Sequence, residues 1–286
     1  MPSSFGSRLS SVFEKYGHLC VGIDPHAALL DDWGLNDDIE GLQSFANTVL
    51  DASAGRVGII KPQVSFFERH GSAGFAVLER LAERAAETDL LVIMDAKRGD
   101  IGTTMDGYFD AWLGKSAPFV CDALTVSPYL GFESLNDVMS NAVERGKGLF
   151  VLAATSNPEG KALQTANVTA TKTIATDIWQ RLAKVNAVTA GSDSTLGSFG
   201  AVVGATLDLR GFGLDLTEPK GALATPILAP GFGAQGAELA DAKRLFDENS
   251  AALIASVSRS VLRAGARGIA GAIESSVAEL NEAMGK

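Results

Sequence analysis

Short apolar segments alternate with amphipathic helical patterns along this chain, and this alternation limits its architecture more than any other feature. Apolar residues recur at helical spacing between most of these segments, for example at Leu78, Leu81, Ala82 and Ala85. Runs that are almost wholly apolar belong to sheets covered on both faces. Eight segments have the length and composition of such strands: 18–24, 57–62, 90–95, 123–127, 148–156, 199–206, 225–231 and 253–259. The pattern predicts an α/β fold, a single (β/α)8 TIM barrel over 1–286.

Two segments go beyond a minimal barrel. The first residues, which include FGSRLSSVFEKYG, predict a short helix before the first strand. The stretch 157–198 is longer than one crossover requires, so we expect an extended helical segment there. No Ser/Gly-rich linker or obvious repeat divides the chain.

Composition excludes several classes of function. The net charge is −10, from 24 Lys and Arg against 34 Asp and Glu, which argues against nucleic acid or anionic lipid as a partner. No apolar run approaches the roughly 18 to 20 residues of a membrane span. The two cysteines, Cys20 and Cys121, form no CxxC pair, which predicts a cytoplasmic protein without a disulfide framework. The three histidines show no ligand spacing, so we predict neither a metal nor another cofactor.

Charged and hydroxyl-bearing residues end several predicted strands. They are Asp24, Lys61, Asp95 with Lys97, Thr155 to Asn157 with Ser156 between them, and Ser258 with Arg259. In a barrel the C-terminal strand ends form the face that carries catalytic groups, so these residues predict a site. Each one alone also fits a strand that leaves the core and meets water.

The densest group of polar residues is DAKRGD, at 95–100. Side chains two apart on a strand point to the same side, so Asp95 and Lys97 are expected to face one cavity. Asp100 follows Gly99, beyond the strand, and two interpretations stay open for it. It either belongs to the site or caps the next helix.

A glycine-rich turn follows the seventh predicted strand, with Gly231, Gly233 and Gly236. Loops after strands seven and eight commonly bind phosphate in barrels, through backbone N–H groups and a helix N-terminus. Arg259, at the end of the eighth strand, adds a bidentate cationic donor. The arrangement predicts a phosphate-bearing ligand.

Together these motifs resemble the orotidine 5'-phosphate decarboxylase family, in its longer bacterial branch. The resemblance runs from Leu9 to about Arg263 and follows the family order: VGIDPH, GIIKPQVSFFE, DAKRGDI, TVSPYLG, ATSNP, APGFGAQG and SVSR. The pattern DxKxxDI with an upstream lysine is specific, whereas the glycine loop occurs in many phosphate-binding barrels. Two positions depart from the family pattern, Ser127 where asparagine is expected and Phe232 where an aliphatic residue is expected.

The resemblance implies a role for each matching residue. It implies a charged array of Lys61, Asp95, Lys97 and Asp100 and a homodimer in which Asp100 and Thr104 enter the partner's site. A second set would bind the nucleotide: Asp24 at the ribose, Ser156 at the pyrimidine edge, and Gln235 and Arg259 at the phosphate. Gly231, Gly233, Gly236 and Ser258 would form the phosphate loop.

The chemistry of this family explains why a lysine is needed. Loss of carbon dioxide from C6 of the pyrimidine leaves an electron pair that no adjacent carbonyl is placed to delocalise. A protonated Lys97 would stabilise that charge and then protonate C6. Two alternatives stay open: a metal-dependent phosphosugar decarboxylase or aldolase, and a non-catalytic module that binds phosphate ligands.

Overall fold

The computed structural model describes residues 2–189, 194–216 and 223–286. Ten strands lie in these ranges: β1 (Leu19–Ile23), β2 (Ile59–Pro62), β3 (Leu91–Arg98), β4 (Ala123–Val126), β5 (Gly148–Ala154), β6 (Asn167–Thr169), β7 (Lys172–Thr173), β8 (Phe199–Val203), β9 (Ile227–Pro230) and β10 (Leu253–Val257). Eight of them close a barrel in the order β1-β10-β9-β8-β5-β4-β3-β2, and every pair in it is parallel. The predicted (β/α)8 barrel is confirmed.

Helices cover the outside of the barrel and close one end of it. Those in the described ranges are α1 (Phe5–Tyr16), α2 (Ala27–Asp32), α3 (Ile39–Ser53), α4 (Val64–Glu68), α5 (Gly71–Ala86), α6 (Gly102–Leu113), α7 (Asn136–Arg145), α8 (Lys161–Gln164), α9 (Ile174–Thr189), α10 (Ala242–Phe246), α11 (Arg259–Leu262) and α12 (Gly265–Met284). Short 3-10 turns join several of them: Phe132–Leu135, Pro158–Gly160, Arg210–Phe212, Leu239–Asp241 and Asp247–Ala252.

The predicted N-terminal helix is α1, and it closes the bottom of the barrel. Ser4 caps it, because its hydroxyl accepts a hydrogen bond from the Ser7 N–H at 3.1 Å. Phe5 is fully buried, packs edge-on against Phe150 of β5, and shares a core cluster with residues that point into the barrel. A Cβ at Gly148 would come within 2.5 Å of the Phe5 ring, so glycine at the start of β5 makes room for the helix.

Side chains alternate between the two faces of each strand, and this produces two apolar layers, one outside and one inside the barrel. In β1, Leu19, Val21 and Ile23 belong to the outer cluster that the helices cover, whereas Cys20 belongs to the cluster inside the barrel. Both faces are buried, which explains why the strands are apolar almost throughout. Within the described ranges, no helix combines the length and apolar character needed to cross a bilayer.

The predicted strand ends differ from the observed ones where polar residues begin. The predicted strands 148–156 and 199–206 end at Ala154 and Val203, because the residues that follow leave the ladder for the loops of the barrel mouth. In the other direction, β3 continues past Asp95 to Arg98, with a register shift against β4 between Met94 and Arg98.

The stretch 157–198 contains more than a crossover helix. It includes α8 and α9, separated by the antiparallel hairpin β6–β7. Positions 190–193 of this stretch lie outside the described residues.

Candidate active site

A buried carboxylate between two amines is the centre of the barrel mouth. Lys61 on β2 places its Nζ 3.1 Å from Asp95 Oδ2, and Lys97 on β3 places its Nζ 2.6 Å from Asp95 Oδ1. The side chains of Lys61 and Asp95 are only 8% and 12% exposed, and that of Lys97 is 44% exposed. Each carboxylate oxygen therefore faces its own cation, and Lys97 is the one that remains accessible.

The charges of this group depend on one another. Burial by itself lowers the pKa of Lys61, but the carboxylates of Asp95 and Asp24 outweigh it and hold that pKa above the ordinary lysine value. Burial likewise favours protonation of Asp95, yet the charges of Lys61 and Lys97 hold its pKa well below the ordinary aspartate value. Lys61 and Asp95 are therefore both ionised at neutral pH.

Thr125 on β4 links the backbone and side-chain parts of this group. Its hydroxyl donates to Asp95 Oδ1 at 2.9 Å and accepts a hydrogen bond from the Lys97 backbone N–H at 3.0 Å. Lys97 has φ of 49°, in the left-handed region that non-glycine residues rarely adopt, and such strain persists where surrounding contacts hold it. The bulged end of β3, not a regular strand, is therefore what directs Lys97 toward Asp95.

The three charged residues line a cavity of about 350 Å³. Ser156 and Gln235 line it too, and the Ser156 hydroxyl donates to Gln235 Oε1 across 3.4 Å. Apolar side chains from the barrel interior complete its wall: Leu152, Val202, Leu228 and Pro230. A mostly apolar chamber with charge at one side and amide and hydroxyl groups at the other suits a flat polar ring with an ionic substituent.

Asp24 and Ser258 meet at the adjoining ends of β1 and β10. The Ser258 hydroxyl donates to Asp24 Oδ2, while Asp24 Oδ1 is buried and has no hydrogen-bond partner among the described residues. An unpaired buried carboxylate oxygen is an acceptor for a ligand hydroxyl. Gly22 permits this approach, since a Cβ there would lie 3.0 Å from Ser258 Cβ.

The glycine-rich turn after β9 has the backbone shape that only glycine adopts readily. Gly231, Gly233 and Gly236 have φ of 119°, 74° and 107°. The N–H groups of Gly233 and Gly236 are used within the turn, bonded to Ala237 O and Gly233 O. Those of Ala234 and Gln235 make no hydrogen bond within the described part of the chain, so they are the donors that remain for an anion.

The same turn packs against the start of α11. A Cβ at Gly233 would lie 2.5 Å from Ser260 Cβ, so the loops after β9 and β10 are in direct contact. Arg259, the first residue of α11, is half-buried, and its guanidinium makes no ion pair or hydrogen bond within the described ranges.

Asp100 and Thr104 do not line the cavity. They lie where β3 passes into α6, and Thr104 is exposed. Asp100 Oδ1 accepts a hydrogen bond from the Ile101 N–H at 2.9 Å, but Ile101 itself is the N-cap of α6. Asp100 therefore makes no capping bond to the first turn of that helix, which removes the capping interpretation.

Two residues that line the cavity, Thr125 and Gln164, were not predicted as site residues from the sequence. Thr155 and Asn157 also line it, at the polar end of the fifth predicted strand. Thr125 is the only polar residue of the β4 segment ALTV, and that was a usable signal. Gln164 had none, because it comes from a short helix within the long stretch after β5. Within the described residues, no three His, Cys, Asp or Glu side chains are grouped as a metal site requires.

Comparison with known proteins agrees with this geometry. Residues 17–272 match the model of the orotidine 5'-phosphate decarboxylase / HUMPS family. The chain belongs to this family. The resemblance inferred from the motifs is thereby confirmed.

Curated relatives in the decarboxylase family share about half of the residues. An orotidine 5'-phosphate decarboxylase from Streptomyces coelicolor is 51% identical over 262 residues, which are 91% of this chain and 90% of that protein. One from Nocardioides sp. is 50% identical over 262 residues, with 91% and 92% covered. A crystal structure from Streptomyces avermitilis, provisionally described as the same decarboxylase, has a TM-score of 0.92 and 48% identity, with 99% of this chain and 97% of that chain covered.

Replacement of Asp95 by asparagine tests the electrostatics of this decarboxylase site. Asp95→Asn leaves the buried Lys61 ammonium without its partner, so we expect the free energy of unfolding at pH 7 to fall by about 3–5 kcal/mol. Because the pKa of Asp95 is lowered in the folded protein, its contribution is present above the unfolded pKa of about 4 and is lost as pH falls below it. Urea unfolding of the wild type and of Asp95→Asn should show that the difference between their free energies of unfolding becomes smaller below about pH 4.

The matched control is Asp89→Asn, which removes an exposed carboxylate paired with Lys15 and should change stability little. If the free energies of unfolding of the wild type and Asp95→Asn differ by the same amount at pH 3 and at pH 7, the assignment of a charged Asp95 is contradicted.

Proposed function

We propose that this chain decarboxylates orotidine 5'-monophosphate to uridine 5'-monophosphate and carbon dioxide, the last step of de novo UMP synthesis. The observation that carries the proposal is the Lys61–Asp95–Lys97 group at one side of a cavity whose other side offers Ser156 and Gln235. Relatives at 43–51% identity carry the name of this enzyme.

Lys97 is the residue assigned to the chemical step. As the C6–carboxylate bond breaks, its electron pair stays on C6 in an in-plane orbital. The Lys97 ammonium stabilises that developing charge and then transfers a proton to C6, and the neutral amine regains a proton from solvent. Of the two amines beside Asp95, Lys97 is the more exposed, which supports its role as the donor that reaches substrate.

Asp95 is assigned to the side of the departing carboxylate. Two unit charges 4 Å apart interact by about 4 kcal/mol at an effective dielectric of 20. Enzymes of very slow reactions lower barriers by up to about 23 kcal/mol, so repulsion by Asp95 supplies only a fraction. Preorganised charge around C6 and binding energy from the distant phosphate must supply the remainder.

The other predicted residues are assigned to nucleotide binding. Asp24 Oδ1 has no hydrogen-bond partner among the described residues, which supports its assignment as the acceptor for a ribose hydroxyl. Ser156 faces the pyrimidine edge, and Gln235 extends from the glycine-rich turn. Arg259 and the glycine-rich turn are assigned to the phosphate. The N–H groups of Ala234 and Gln235 in this turn make no hydrogen bond among the described residues, so they can donate to an anion.

We further propose that the reaction needs no metal or other cofactor, because an ammonium performs the charge stabilisation that a metal ion supplies to an enediolate. A phosphosugar decarboxylase or aldolase on the same barrel would depend on magnesium. The names of the curated relatives do not favour that alternative, and they do not favour a non-catalytic module.

We also propose a homodimer in which the two subunits share their active sites, with the interface at the barrel mouth. Asp100 and Thr104 are assigned to the partner's site, which agrees with their position outside this chain's cavity. Large apolar side chains near them are exposed: Ile101 by 60%, Tyr129 by 75% and Leu130 by 52%. The loops after β3 and β4, which carry these side chains, lie side by side, since the Ser127 N–H donates to Arg98 O at 2.7 Å. An exposed apolar surface of this kind supports an interface.

A cytoplasmic location is proposed as well. Cys20 and Cys121 are both free and buried, and burial raises the pKa of the Cys20 thiol to about 12. Unpaired thiols agree with a reducing compartment.

Turnover of orotidine 5'-monophosphate tests the function. Ultraviolet absorbance should show conversion by the purified protein in excess EDTA, with no gain on adding magnesium. Lys97→Ala should lower kcat by about 10²- to 10⁴-fold, since a general acid and a charge are both lost. Activity that vanishes with EDTA and returns with magnesium would contradict the proposal, as would full activity of Lys97→Ala.

Mixed dimers test the shared site. Lys97→Ala and Asp100→Ala subunits are each expected to be inactive, but a hybrid dimer carries both lesions in one site and leaves the other intact. Random exchange of equal amounts should restore about one quarter of wild-type activity. Lys97→Ala mixed with Lys61→Ala is the control, because every hybrid site then carries a lesion. No recovery despite demonstrated exchange would place Asp100 outside the partner's site.

A further inference from the structure

Beyond the loop that follows β5, the described part of the stretch 157–198 lines the cavity again at Gln164. Gln164 ends α8, and its side-chain amide reaches the first residue beyond β5, Thr155. Gln164 Oε1 accepts a hydrogen bond from the Thr155 N–H at 2.9 Å, and Gln164 Nε2 donates to Thr155 Oγ1 at 2.7 Å. Both polar atoms of the amide are thus bonded to one residue, which fixes Thr155 in backbone and side chain.

The contact extends along the loop. Thr155 Oγ1 donates its own hydrogen to Asn157 Oδ1 at 2.6 Å, so this hydroxyl both accepts and donates in one chain of bonds. Gly160 lies against all three residues: a Cβ there would be 3.0 Å from Gln164 Nε2, 3.1 Å from Thr155 Oγ1 and 3.2 Å from Asn157 Oδ1. The network is therefore compact enough that a single methyl group would disturb it.

The loop held in this way carries Ser156. Ser156 and Asn157 are exposed, so packing does not fix their positions. Ser156 nevertheless faces Gln235 across the cavity, with 3.4 Å between Oγ and Oε1. Its two neighbours in sequence are the residues that Gln164 holds, directly for Thr155 and through Thr155 for Asn157.

We propose that Gln164 is a positioning residue that holds the Thr155–Asn157 loop so that Ser156 meets the pyrimidine edge of the substrate. The inference rests on the proposed function, which supplies the pyrimidine. It assigns a role to the stretch between β5 and β8: α8 returns the chain to the barrel mouth and orders a loop that β5 alone leaves exposed.

A double-mutant cycle between Gln164 and Ser156 tests this. Gln164→Met keeps the length of the side chain but removes both hydrogen bonds. It should raise KM about tenfold, since two hydrogen bonds that order the binding loop are lost. The Ser156 contact is made before and during the reaction, so kcat should stay within about twofold. In the Ser156→Ala background, Gln164→Met should add less than about a twofold change in KM.

A matched variant and a backup complete the design. Lys161→Ala, on the exposed side of the same helix, should leave KM and kcat unchanged. If Gln164→Met does not fold, Gly160→Ala disturbs the same network with every polar group retained; Gly160 has φ of −71°, which alanine adopts freely. The cycle is then run with that variant.

The outcomes separate the two proposals. A wild-type protein that does not convert orotidine 5'-monophosphate overturns the proposed function. Turnover by the wild type with additive effects of the Gln164 and Ser156 substitutions, or an unchanged KM in Gln164→Met, overturns the positioning role alone.

Discussion

The Asp95 carboxylate between two lysine amines is the interaction on which the rest of the barrel mouth depends. An isolated buried charge is costly, and Asp95 is tolerated because Lys61 and Lys97 each face one of its oxygens. Removal of any one of the three would leave an imbalance that the apolar wall of the cavity does not screen. The cost of assembling this group is met by the fold, so the charges are already in place when substrate arrives.

The barrel provides that assembly through neighbouring strands. Lys61 is the last residue but one of β2 and Asp95 lies toward the end of the adjacent strand β3, so their side chains meet at one edge. Thr125 on β4 then holds both Asp95 and the Lys97 backbone, which compensates for the unusual φ at Lys97. Three consecutive strands thus fix a group whose members are far apart in sequence. Loops supply the remaining groups, and in one of them, after β5, the order comes from the helix that follows.

Site residues that stand at the end of an apolar run, or in a glycine-rich turn, could be predicted from the sequence. Lys61, Asp95 and Lys97 stand at the ends of apolar runs, and the barrel then requires those ends to converge. Gly231, Gly233 and Gly236 were recognisable because such turns need positive φ. Family motifs added what spacing could not provide, above all the expected roles of Asp24 at the ribose and Ser156 at the pyrimidine edge.

Other features depend on long-range contacts that no local pattern encodes. The bulge before Arg98 and the left-handed backbone at Lys97 come from the register shift between β3 and β4. Gln164 lies in a helix of four residues with no distinguishing signal, and its contact with Thr155 exists only in the folded chain. The hydroxyl of Ser258 likewise bonds to Asp24, at the far end of the sequence.

The most direct test of the central claim is the protonation state of Asp95 itself. Carbon-13 NMR of the side-chain carboxyl carbons, with the Asp95 signal assigned by its loss in Asp95→Asn, follows that state as the pH is lowered. The account predicts that the signal remains that of a carboxylate below the ordinary aspartate midpoint of about 3.9. A titration centred at or above that midpoint would show that the two lysines do not hold the charge.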